Sequence, residues 1–119
     1  MNRILRILAL SAAVLPLISS TSSAELINRT LEKSGLTQED IAMLEVAASS
    51  LYDVETPKPG SSTVWRNEGT GSYGAIRLDT VSEGCVVIRH VMFPRGQDTM
   101  RKLTTRRCHN TEGEWVLAP

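Results

Sequence analysis

Residues 84–108 read GCVVIRHVMFPRGQDTMRKLTTRRC, and the positions of the two cysteines in this stretch decide how it folds. The opening run is rich in Val, Ile and Phe, side chains that suit a half-buried pleated surface. Pro94 and Gly96 supply a turn, because Pro fixes φ and Gly permits positive φ. If residues 95–98 form the loop, Pro94 faces Thr99 and every opposed pair has residue numbers that sum to 193. Cys85 and Cys108 also sum to 193. They are then direct cross-strand neighbours, with Cβ atoms roughly 4.5–5.5 Å apart. A small closing of that gap makes a disulfide, most readily at a non-hydrogen-bonded pair. Closing a loop of this size stabilises by about 3 kcal/mol in the chain-entropy account.

The same register sorts the side chains. Val87, Val91, Phe93 and Met100 share the Cys85 face with Arg89, Lys102 and Arg106, whereas Val86, Ile88, Met92 and Leu103 share the other with His90, Arg101 and Arg107. Neither face is purely apolar, so the pattern leaves room for a β-bulge that shifts part of one strand.

Outward from the hairpin, the chain alternates short strands and turns. Residues 63–66 and 73–81 read as strands, with turns at 67–71 and 82–84. After Cys108 the run HNTEG turns again, and residues 114–117 form a last strand around Trp115. Upstream, 56–62 (TPKPGSS) has the composition of a linker. Ahead of it lies an amphipathic helix. Thr37 and Asp40 have capping-box spacing, Leu36 and Ile41 stand where a hydrophobic staple belongs, and Glu39 and Asp40 complement the positive end of the helix dipole. Ile41, Leu44, Ala48, Leu51 and Tyr52 recur at helical spacing and define one buried stripe. Pro57 and Pro59 end the helix near Asp53. Residues 25–34 form a weaker first helix with Gly35 past its end. The expectation is an α+β domain: one main amphipathic helix on an antiparallel sheet of about five strands.

The first 24 residues differ from the rest. Arg3 and Arg6 precede an apolar run, and Ser22-Ser23-Ala24 ends it with small residues at the −3 and −1 positions of a cleavage site. This is the pattern of a secretory signal peptide. About a dozen apolar residues cannot cross a bilayer core that needs roughly 20. The resulting division is a signal peptide at 1–24, a lead-in at 25–36 and a domain at 37–119, with no transmembrane segment after cleavage. No cysteine follows the cleavage site, so the lipoprotein route is closed and the expected location is the periplasm or cell envelope. There an even cysteine count favours a disulfide.

The whole chain of 119 residues has a formal net charge of zero. Without Arg3 and Arg6 it has 13 − 2 = 11 basic against 13 acidic residues, which is not the balance of a nucleic-acid binder.

Trp65-Arg66-Asn67, then Gly71 and Gly74, then Cys85, Cys108, Gly113 and Trp115, resemble in order and spacing the C-terminal domain of the bacterial 17 kDa surface antigen family. The likeness spans residues 37–117. It implies an envelope or outer-membrane association and no catalytic activity. The chain departs from that family in having neither a lipoprotein cysteine nor a glycine-rich segment ahead of the domain. Val86 and His109, rather than arginines, follow the cysteines.

Candidate chemistry is sparse. A zinc site from Cys85, Cys108, His90 and His109 lacks the close ligand pairs such a site uses, and adjacent residues 108 and 109 point to opposite faces of a strand. No nucleophile-elbow motif frames a serine, and a disulfide removes both thiols. We therefore expect no catalytic residue, cofactor or metal. Arg101, Lys102, Arg106 and Arg107 form the one basic run, a candidate patch for an anionic glycan, lipopolysaccharide or an acidic envelope protein. Alternation divides them between two faces, as in a charged strand that discourages edge pairing. Trp65 and Trp115 read as core, since the chain has one Phe and two Tyr to fill it.

Overall fold

The computed structural model describes residues 23–118. Two helices, α1 (Ser23–Glu32) and α2 (Gln38–Tyr52), precede five strands: β1 (Ser62–Arg66), β2 (Tyr73–Ser82), β3 (Cys85–Phe93), β4 (Arg101–His109) and β5 (Trp115–Ala118). The strands form one antiparallel sheet in the order β1-β2-β3-β4-β5. This is the expected α+β architecture, and the weaker first helix expected over 25–34 forms as α1 and joins the cover. Ser23 and Ala24 open α1; the remainder of the leader pattern, 1–22, lies outside the described residues. Among the described residues no helix is long and apolar enough to cross a membrane.

The capping box forms as the spacing requires. Thr37 Oγ1 accepts from the Asp40 amide (3.1 Å), and the Thr37 amide donates to Asp40 Oδ2 (3.0 Å). Leu36 and Ile41 are both buried, completing the staple. Behind the cap, Ile41, Leu44, Ala48 and Tyr52 press onto the sheet, and α1 adds Ile27 and Leu31 to the same core. Full burial of Leu44 alone is worth about 2 kcal/mol of transfer free energy.

The β3–β4 register runs unbroken from Cys85↔Cys108 to Met92↔Arg101, so opposed residues sum to 193 throughout. The amide of His109 donates to the Gly84 carbonyl (2.9 Å), which makes Cys85 and Cys108 a non-hydrogen-bonded pair, and their sulfurs are bonded. The mixed faces do not arise from a bulge in this hairpin. The register shift lies in β2, between Leu78 and Thr80, where Asp79 is the extra residue. One face is covered by the helices and the other is open, and the covered face carries Arg107 because Glu45 and Tyr52 of α2 meet its guanidinium.

Glu83 and Gly84 both have positive φ (50° and 76°) and close the β2–β3 hairpin as a two-residue turn. In the β3–β4 loop it is Arg95 that takes the left-handed conformation, φ 51°, following Pro94 into a short 3-10 turn. β5 pairs only with residues 106–109, so β4 has an open edge from Arg101 to Thr105.

Candidate functional site

Strand parity divides the chemistry between two faces. On the covered face, Asp40 is fully buried and its two carboxylate oxygens accept four hydrogen bonds. Oδ1 takes Asn67 Nδ2 (2.8 Å) and Thr70 Oγ1 (2.6 Å), while Oδ2 takes Ser72 Oγ (2.8 Å) and the Thr37 amide (3.0 Å). Burial by itself would raise this carboxyl, but the bonds from Thr70, the Thr37 amide, Ser72 and Asn67 outweigh it and hold it below the ordinary value of 3.8. Ser72 Oγ also accepts the Arg95 amide (2.6 Å), so one carboxylate ties the start of α2 to the 67–72 loop and the β3–β4 turn.

This arrangement gives the residues of the Trp-x-Asn motif physical roles. Asn67 Oδ1 accepts the Gly69 amide (3.0 Å), and its backbone closes the loop through Ser72 and Gly71. Gly74 lies directly across from Trp65, whose indole crosses it: a Cβ there would fall 2.8 Å from Trp65 Nε1 and 2.5 Å from the Val91 carbonyl oxygen. Gly113 sits in the turn before β5, where Asn110 Oδ1 accepts the Glu112 and Glu114 amides (3.0 and 2.9 Å). Trp65 is buried. Trp115 is half-buried, edge-on to Tyr52 (4.9 Å between ring centres) and tilted over His109 (3.7 Å).

Arg107 is on the covered face, 2% exposed. Its Nη1 donates to Glu45 Oε2 (2.8 Å) and Tyr52 Oη (2.7 Å), and its Nη2 to Glu45 Oε1 (2.8 Å). Burial would lower the guanidinium, yet the Glu45 bonds and charge and the Tyr52 contact raise it instead. Burial raises the Tyr52 phenol, and the opposing pull of Arg107 does not cancel that rise. His90 sits nearby and is pushed down to about 4, first by burial and then by the Arg107 charge, so it is a neutral imidazole near pH 7.

The four residues of the basic run therefore do not form one patch. Arg107 is interior, Arg101 is exposed at the end of the helix side, and Lys102 and Arg106 lie on the open face with the disulfide. That open face gathers cations from four strands: Arg66, Arg77, Arg89, Lys102 and Arg106. Arg77 stands directly across from Arg89, an opposition that costs stability in a sheet. Asp79 offsets part of this through Arg89 (3.1 Å), and Glu68 pairs with Arg66 (3.3 Å). Among the described residues no carboxylate pairs with Arg77, Lys102 or Arg106.

Beside these cations Tyr73 and Phe93 stack (4.8 Å, 14°), with the Arg66 guanidinium 5.8 Å from the Tyr73 ring centre. A groove of about 570 Å³ runs along Val64, Tyr73, Ala75, Val91 and Phe93. Charge is also segregated along the chain: residues 23–60 hold seven acidic and three basic groups, and residues 61–119 six acidic and eight basic. The helices carry the negative side and the sheet the positive one.

Among the described residues no three of His, Cys, Asp and Glu are grouped as metal ligands. Neither ring nitrogen of His90 has a hydrogen-bond partner, and the Ser72 hydroxyl is held by Asp40 and Arg95. Sequence reasoning missed the open face because its arginines are scattered through 66–106. The signal that could have found it was parity with Cys85, which already placed Arg89, Lys102 and Arg106 together. Compared with known protein families, curated proteins and solved structures, the chain matches none.

Proposed function

We propose that the chain is exported by its leader and serves in the cell envelope as a non-enzymatic, surface-antigen-like domain. Its open sheet face holds the phosphorylated glycan of a lipopolysaccharide. The observation that carries this reading is the set of cations on the uncovered face, with Arg77 opposed to Arg89 beside an aliphatic and aromatic groove. Guanidinium groups match phosphate oxygens in charge and geometry. A like-charged pair kept across a sheet is relieved when an anion lies over it. The leader pattern and the Cys85–Cys108 bond support an oxidising compartment.

The test is capture of purified lipopolysaccharide by the chain over a salt series. Arg77→Glu combined with Arg89→Glu is expected to weaken capture more than tenfold and to flatten its salt dependence. Arg101→Glu, off this face, leaves capture near the parent level. Equal capture by the double variant and the parent overturns the binding surface. Export is tested separately by the intact mass of the chain recovered from an envelope fraction. A chain beginning at Glu25 and lighter by two hydrogens supports it, and a retained leader overturns it.

A further inference from the structure

Between α1 and the covered face of the sheet lies a second cavity, of about 430 Å³, and it does not belong to the lipopolysaccharide surface. Its walls are largely aliphatic: Ile27 and Leu31 from α1 face Leu103 and Leu117 from the sheet. Three polar side chains line it as well, each more than nine-tenths buried: His90, Thr105 and Arg107. All three have atoms with no hydrogen-bond partner among the described residues, namely both ring nitrogens of His90, Thr105 Oγ1 and Arg107 Nε.

These atoms are neighbours by register. Thr105 and Arg107 are two apart on β4 and so share a face, and His90 lies diagonal to Thr105 because Ile88 pairs with Thr105. Diagonal neighbours on one face of a sheet lie roughly 7–8 Å apart. Leaving a buried polar group unpaired costs about 1–3 kcal/mol, so three such side chains in one small space are a pointed exception to the satisfied Asp40 cluster.

The donor set defines what fits. Arg107 Nε–H can only donate, Thr105 can donate, and a neutral His90 has one N–H to give. Glu45 takes the two terminal nitrogens of Arg107, and the Nε–H is the charge-assisted donor left for the cavity. The complement is an anionic acceptor on an apolar body. The geometry points to a binding site for an aliphatic monocarboxylate, its head taking hydrogen bonds from Arg107, Thr105 and His90 and its tail lying among Ile27, Leu31 and Leu103. α1 is the wall the ligand packs under. Water could also satisfy the four polar atoms, but water has no use for the aliphatic walls.

Calorimetric titration of the purified full chain with decanoate, decanol and acetate separates these occupants. Decanoate is expected to saturate one site, to bind at least tenfold more tightly than decanol, and to shift the imidazole resonances of His90. Thr105→Val, which keeps the shape of the side chain and is checked by its melting curve, should weaken decanoate at least tenfold. Arg77→Glu on the opposite face should leave decanoate affinity unchanged, so this site and the lipopolysaccharide surface stand or fall separately. Equal affinity for decanoate and decanol, or an unmoved His90 resonance at saturation, overturns the proposal and leaves the cavity to water.

Discussion

Two charged groups, Asp40 and Arg107, are buried in the same small domain, and the protein treats them in opposite ways. Around Asp40 each lone-pair direction of the carboxylate is met by a donor, and the donors come from the 67–72 loop and the start of α2. Around Arg107 the guanidinium is met on two of its nitrogens, while its Nε and the neighbouring His90 and Thr105 are left without partners. A completed network fixes one arrangement of the chain, and an incomplete one stores unused bonding capacity. The first cluster reads as a fastening and the second as a receptor.

The comparison breaks most visibly at Asp40. Asp40→Ala strands the Asn67, Thr70 and Ser72 donors and removes the capping box, and is expected to cost about 4 kcal/mol in denaturant unfolding. A cost below about 1 kcal/mol would show that water re-satisfies the site and that the fastening is not what holds the loop. At the other cluster, Glu45→Ala leaves the Arg107 charge buried without a counter-ion and should cost about 3 kcal/mol. Adding Arg107→Met to it should recover part of that loss, because the penalty lies in the stranded charge. No recovery in the double variant would mean that the pair contributes through packing alone.

The two clusters also separate on the pH axis. His90 binds a proton near 6.5 when unfolded but only near 4 when folded. The unfolded chain therefore takes up the extra proton between these values, and stability falls as pH drops from 6.5 to 4. The full swing is about 3 kcal/mol. His90→Leu should flatten that stretch of the profile, and a slope unchanged by the substitution would move its origin elsewhere. Asp40 acts lower down, since its folded value is depressed: its contribution is present above 3.8 and is lost as pH falls further, through the folded value. The smallest effect belongs to the open face. Arg77→Thr removes the opposition to Arg89 and should raise stability by about 0.5 kcal/mol, as read from the denaturation midpoint.

The frame was legible in the sequence because its signals are local. Thr37 and Asp40 announce a helix start from three residues apart, and the equal sums of opposed residues placed Cys85 against Cys108. What sequence spacing could not reveal was a meeting across distance. Asp40 has the spacing of a capping residue, and nothing in residues 37–52 shows that Asn67, Thr70 and Ser72 share it. Arg107 looked like one more charge on a basic strand, because its partner Glu45 lies in a different element, 62 positions away. The apparent disorder of the hairpin's two faces was itself the clue. A polar residue at an inward position of a strand needs a partner from the covering layer, and Glu45 and Tyr52 on α2 were available for it.

Every strand of the sheet pairs with its neighbour in sequence, which has a kinetic consequence. Each hairpin can close without waiting for a distant segment, and topologies of this kind fold quickly for their size. The cysteines lie at the end of the β3–β4 hairpin farthest from its turn, so they meet when that hairpin has finished zipping. The bond then records a completed event instead of starting one. Serines in place of both cysteines should leave the folding limb of a chevron unchanged and steepen only the loss of the native state, since interactions made after the transition state act on unfolding. The staple sets how long the sheet lasts, and the turns set how fast it forms.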